Sequence, residues 1–133
     1  MSQKILIIED EANLVQALST KLKTESFEVL VAYDGQAGLE TAEKNKPDLI
    51  LCDLLMPKMD GLTMLRNMRA TDWGKDIPVI ILTNSSGKEK LSESLNQWVF
   101  RYLVKSDWTL EEIVEKVKEG LQSKAADQDG KDI

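Results

Sequence analysis

Five short and almost continuously apolar runs punctuate the chain: Ile5-Leu6-Ile7-Ile8, Val29-Leu30-Val31-Ala32, Leu49-Ile50-Leu51-Cys52, Val79-Ile80-Ile81-Leu82 and Tyr102-Leu103-Val104. A strand with one wet face alternates polar and apolar residues, so uninterrupted runs predict strands covered on both faces, as in a parallel sheet flanked by helices. Between the runs the period changes. Leu14, Leu18 and Leu22 recur at i, i+4 and i+8 and predict an amphipathic helix over 13–26. A second helix is expected over 37–45, before Pro47, which cannot continue it, and a third over 61–71, with Leu62, Leu65 and Met68 on its apolar side. A fourth is placed at about 88–97. The last is the clearest: Thr109, Glu111 and Glu112 supply an N-cap and the first-turn acids of a capping box, and Ile113, Val117 and Leu121 form its stripe. The alternation predicts five βα units in one α/β domain over 1–123, followed by a polar tail over 124–133 that is expected to fray.

Composition narrows the class. A chain of 133 residues is long enough for one substantial core, and 42% hydrophobic with 30% charged residues is the balance of a soluble globular domain. No apolar run is long enough to span a bilayer, and the start carries no secretory cleavage pattern, so a cytoplasmic location is expected. The single Cys52 cannot form an internal disulfide and reads as a small buried hydrophobe. With 17 basic against 23 acidic residues and a net charge of −6, the surface should repel phosphate backbones, so direct nucleic-acid binding is not expected.

In open sheets of this kind, functional sites gather beyond the carboxyl ends of the strands. There the first strand runs into Glu9-Asp10, the third into Asp53, the fourth into Thr83 and the fifth into Lys105. Taken singly, an Asp after a strand is usually a turn former or a helix cap, and a Thr or Lys there a solvated edge. Together they occupy corresponding positions on one rim, which scattered edge residues would not do. Three carboxylates in one place raise each other's pKa values unless a cation intervenes. The chain has no His, and Cys52 lies inside an apolar run, so the ligands on offer are hard oxygens, which suit Mg²⁺. Phosphoryl transfer asks mainly for positioning and charge neutralisation. Mg²⁺ and Lys105 would neutralise phosphoryl oxygens, the Thr83 hydroxyl would hydrogen-bond another, and Asp53 would be the nucleophile that becomes an aspartyl phosphate.

With these residues in order, the chain resembles a two-component response-regulator receiver domain over about 4–122, similar to stand-alone chemotaxis receivers. The resemblance is carried by Glu9-Asp10, by D-L-L-M-P-K-M-D-G from Asp53, by L-T-N ending at Asn84, and by Y-L-V-K ending at Lys105. It implies a (βα)5 flavodoxin-like three-layer sandwich, with a parallel five-stranded sheet of order 2-1-3-4-5. It further implies that Asp10 and Asp53 ligate Mg²⁺, that Glu9 assists through water, and that the backbone carbonyl of Leu55 completes the set. The phosphoryl group would come from a sensor histidine kinase or a phosphotransfer protein. Phosphorylation would draw Thr83 toward the phosphate and let Tyr102 move inward, shifting a pre-existing equilibrium toward a partner-binding surface.

Departures from the family pattern bound these expectations. Ser106 stands where the family commonly has Pro after a cis peptide. A non-Pro cis bond costs about 3 kcal/mol, which puts the approach of Lys105 to the site in question. Asn84 is larger than the small residue frequent after the switch Thr, and Leu55 and Ser85 hold positions that tune dephosphorylation. Gln97-Trp98-Val99-Phe100-Arg101 replaces a small Gly-Ala turn before strand five. Trp98, Phe100 and Tyr102 are then candidates for a downstream protein-binding patch on the face of the 88–97 helix, strand five and the last helix; the competing reading has Trp98 and Phe100 cap the core. Trp73 reads as a loop anchor. The expected function is a stand-alone receiver, with a phosphorelay intermediate or a fragment of a larger regulator as alternatives. A Mg²⁺-dependent phosphohydrolase is disfavoured because Leu55 stands where the second Asp of D-x-D would act as general acid. A flavin carrier is disfavoured because Glu9-Asp10-Glu11 presents negative charge to a phosphate.

Overall fold

The computed structural model describes residues 2–54, 56, 58–84 and 99–131, the segment 124–131 as backbone alone. Five parallel strands, β1 (Lys4–Ile8), β2 (Glu28–Ala32), β3 (Leu49–Asp53), β4 (Val79–Thr83) and β5 (Arg101–Val104), form one sheet of order β2-β1-β3-β4-β5. The expected fold and strand order are therefore observed.

Successive strand side chains alternate between faces, and that alternation splits the apolar runs into two cores. Leu6, Ile8, Ile50, Cys52, Val79 and Ile81 face α2 (Gly35–Asn45) and α3 (Gly61–Arg69). Ile5, Ile7, Leu49, Leu51, Ile80, Leu82 and Leu103 face α1 (Ala12–Thr24) and the C-terminal helix (Leu110–Lys131). Three layers result, and each uninterrupted run is explained by burial on both sides.

The helix starts follow their caps. Asp34 accepts from Ala37 N (2.8 Å), so α2 begins at Gly35, two residues before the apolar pattern places it. Asp60 accepts from Thr63 N (2.8 Å) and starts α3 at Gly61 as expected. The capping box of the last helix is reciprocal: Thr109 N donates to Glu112 Oε1 (2.9 Å) and Glu112 N to Thr109 Oγ1 (3.1 Å). That helix runs on to Lys131 instead of fraying from 124. No Pro interrupts 124–131, and Ala125 and Ala126 are strong helix formers. The expected 88–97 helix lies outside the described residues.

Two close approaches fix the loop after β3. A Cβ on Gly35 would collide with the Met59 carbonyl oxygen, and one on Gly61 with the Asp53 carbonyl oxygen. Lys58 takes up the turn between them with φ 67°, a left-handed value uncommon for a residue with a side chain.

Candidate functional site

Among the described residues the buried polar and charged ones are Glu9, Asp53 and Thr83, all at the carboxyl ends of strands. The same alternation that divides the core sorts them. Asp53 follows Leu49 and Leu51 on the α1 and C-terminal-helix face of β3. Thr83 follows Val79 and Ile81 on the opposite face of β4. Tyr102, paired in register with Ile81, packs half-buried into the same core as Ile81. Asp53 and Thr83 thus end neighbouring strands but occupy different faces, and Tyr102 shares the face of Thr83.

Lys105 draws the acidic side together. Its Nζ lies 2.6 Å from Glu9 Oε1 and 3.2 Å from Asp53 Oδ2, and its side chain is 18% exposed. Ser106 does not displace it: no cis peptide occurs among the described residues, and a single 3-10 turn at Lys105–Asp107 delivers the ammonium to the pocket. Sequence reasoning missed a third carboxylate on this cation, Glu11 Oε2 at 3.6 Å. The only signal was its place in Glu9-Asp10-Glu11, read there simply as negative charge. Burial pushes the Glu9 carboxyl up to about 7, against the opposing pull of Lys105 and the Glu11 N–H. Burial alone would lower the Lys105 ammonium, but its ion pair with Glu9 and the charge of Asp53 outweigh this and raise it.

The donor set suits a small hard cation. Glu9, Asp10 and Asp53 each bring an oxygen within 4.8 Å of the others, two from buried residues and one from the exposed Asp10. Glu9 Oε1 receives no hydrogen bond among the described residues, so the ion pair with Lys105 is its compensation there. Carboxylate oxygens clustered in this way are the ligand chemistry of Mg²⁺. Leu55, expected to add a carbonyl, lies outside the described residues.

The remaining expectations divide. The Thr83 hydroxyl donates to the Asn84 carbonyl (3.1 Å). Phe100 packs half-buried on the second core beside Gly120, where a Cβ would stand 3.3 Å from its ring. Trp98 and Ser85 lie outside the described residues. Trp73 is half-buried on the first core, with Lys46 Nζ 5.7 Å from its ring centre, as a loop anchor should be. Cys52 is fully buried and its thiol is pushed far up by that burial, leaving it inert.

A doubly covered parallel sheet with clustered carboxylates and the Lys105 ammonium at its carboxyl end defines the class: an α/β domain whose acidic cluster fits a phosphoacceptor site. The family model of the response regulator receiver domain matches residues 5–118, and the chain belongs to that family, the receiver domains of two-component signalling. It is 36% identical over 119 residues to the response regulator ArlR of Staphylococcus saprophyticus, covering 90% of this chain and 52% of that one. The chain thus spans about half the length of the curated relatives it matches. A CheY-like receiver domain protein from Methanospirillum hungatei superposes with a TM-score of 0.86 at 25% identity, covering 96% of this chain and 99% of that one. The receiver domain of the sensor histidine kinase PA1611 from Pseudomonas aeruginosa, solved with a magnesium ion coordinated in its active-site cleft, gives 0.81 at 26% identity, covering 92% and 99%. Receiver domains are signalling phosphoacceptors that interact with histidine kinases or phosphotransfer proteins. Membership does not favour the phosphohydrolase alternative. No helix among the described residues is long and apolar enough to cross a membrane.

Proposed function

We propose that Asp53 is the phosphoacceptor of this receiver. A carboxylate oxygen of Asp53 attacks the phosphorus of a phosphohistidine on a sensor kinase or phosphotransfer protein. The P–O bond forms as the P–N bond breaks, and the imidazole leaves. Water later cleaves the acyl phosphate, returning the carboxylate and inorganic phosphate. The observation that carries this reading is the contact of Lys105 Nζ with the buried carboxylates of both Glu9 and Asp53. An ammonium so placed neutralises phosphoryl oxygens at the site of attack without further reorganisation. Glu9, Asp10 and Asp53, with the Leu55 carbonyl, would hold Mg²⁺, which when bound supplies positive charge to the transferring group. Thr83 and Tyr102, on the other face, form the switch that reads the phosphoryl group. The protein acts in the cytoplasm and contacts its downstream protein through the face of the expected 88–97 helix, β5 and the C-terminal helix, with Trp98, Phe100 and Tyr102 as candidates and no direct nucleic-acid contact. The domain is assigned to 1–123.

The test is intact-protein mass after incubation with a small acyl-phosphate donor, with and without Mg²⁺. One Mg²⁺-dependent phosphoryl adduct is expected on the wild type and none on Asp53→Asn. An adduct of equal yield on the variant would overturn the assignment.

A further inference from the structure

Glu11 stands at the N-cap of α1, where Ser, Thr, Asp and Asn best satisfy the free N–H groups of a first turn, yet its side chain makes no capping bond. Its backbone N–H donates to Glu9 Oε2 (3.0 Å), and its own carboxylate is turned to Lys105 Nζ at 3.6 Å. The same ammonium contacts Glu9 and Asp53, two of the three residues whose oxygens converge on the cation position. Lys105 therefore lies against carboxylates that a divalent cation requires, and repulsion between two cations a few ångströms apart is strong in a partly buried pocket. A divalent cation drawn to these carboxylates would push Nζ away from Glu9 and Asp53. The withdrawal has a direction, because Glu9 and Asp53 are buried while the Glu11 side chain is 60% exposed. Glu11 is an acceptor at the pocket mouth already within reach.

We infer that Glu11 is a positioning residue for Lys105: the outer carboxylate onto which the ammonium retreats when a divalent cation takes Glu9, Asp10 and Asp53. This rests on the receiver reading of the site. Without Glu11 the displaced ammonium goes to water, and metal entry becomes less favourable. An exposed ion pair contributes on the order of a few-fold to an equilibrium constant, which sets the scale.

Calorimetric titration with Mg²⁺ on the wild type, Glu11→Gln, Lys105→Met and the double variant tests this. Glu11→Gln should raise the Mg²⁺ Kd about threefold more when Lys105 is present than in the Lys105→Met background. Lys105→Gln, which keeps a donor toward Glu9, takes the same corner of the cycle if Lys105→Met does not fold. An equal ratio in both backgrounds would mean that Glu11 acts only as a distant negative charge, and would overturn the inference while leaving the receiver reading intact. Absence of Mg²⁺ binding by the folded wild type would overturn both.

Discussion

Asp53 and Thr83 end neighbouring strands, with Asp53 in register with Leu82, the residue before Thr83. Their surroundings have little in common. Asp53 lies on the face of α1 and the C-terminal helix, in contact with Lys105 and beside Glu9, a setting dominated by charge. Thr83 lies on the face that also takes Ile81 and Tyr102, and among the described residues its hydroxyl makes a neutral bond to a backbone carbonyl. One residue of strand register thus separates the proposed phosphoacceptor from the proposed switch residue. On the proposed reading the acyl phosphate is made on one side and read on the other, and the two functions should be separable by mutation.

The largest separation should come from Lys105→Ala. Removing a preorganised charge from the reacting group should slow adduct formation about a hundredfold, read as the initial rate by intact mass. A rate within threefold of wild type would remove Lys105 from the chemistry. Leu18→Ala supplies the contrasting case. This fully buried residue of α1 belongs to the second core, and its truncation should cost about 2–5 kcal/mol in urea unfolding while the folded fraction phosphorylates normally. Thr83→Val keeps the shape of Thr83 and removes its hydroxyl. One hydrogen bond lost should slow adduct formation by no more than about tenfold. Phosphorylation-induced chemical-shift changes at the Tyr102 ring should then disappear, and their persistence would refute the switch assignment.

The smallest effect is on pH dependence. The Glu9 carboxyl is raised from an ordinary 4.5 to about 7, so the metal-free folded state binds that proton more tightly than the unfolded chain does. The stabilisation this gives is complete below about 4.5 and is lost as pH rises through about 7. In EDTA the midpoint of thermal unfolding should therefore fall across that window in the wild type, and fall less in Glu9→Gln. Parallel curves for the two proteins would show that burial of Glu9 has no such consequence.

Much of this arrangement was legible in the chain itself. Runs such as Leu49-Ile50-Leu51-Cys52 carry their own burial on both faces, and a run that ends on Asp53 marks the rim. Strand order is not written in any local pattern and came from the family resemblance. The early start of α2 escaped because the apolar pattern begins at Ala37, whereas the Asp34 cap sets the first turn at Gly35. Glu11 escaped for a different reason. Where a long exposed side chain goes depends on which cation the far end of the chain delivers, and Lys105 is 94 residues away in sequence. The trans peptide at Ser106 shows why a missing family Pro leaves the site intact, since the 3-10 turn at Lys105–Asp107 supplies the approach.

The central claim is that Asp53 alone receives the phosphoryl group. Borohydride reduction of the Mg²⁺-dependent adduct, followed by peptide mass mapping, locates an acyl phosphate at single-residue resolution. The predicted result is reductive labelling at position 53, with Glu9, Asp10 and Glu11 unlabelled. Label on any of those three, or a stable adduct that borohydride does not reduce, would contradict the account.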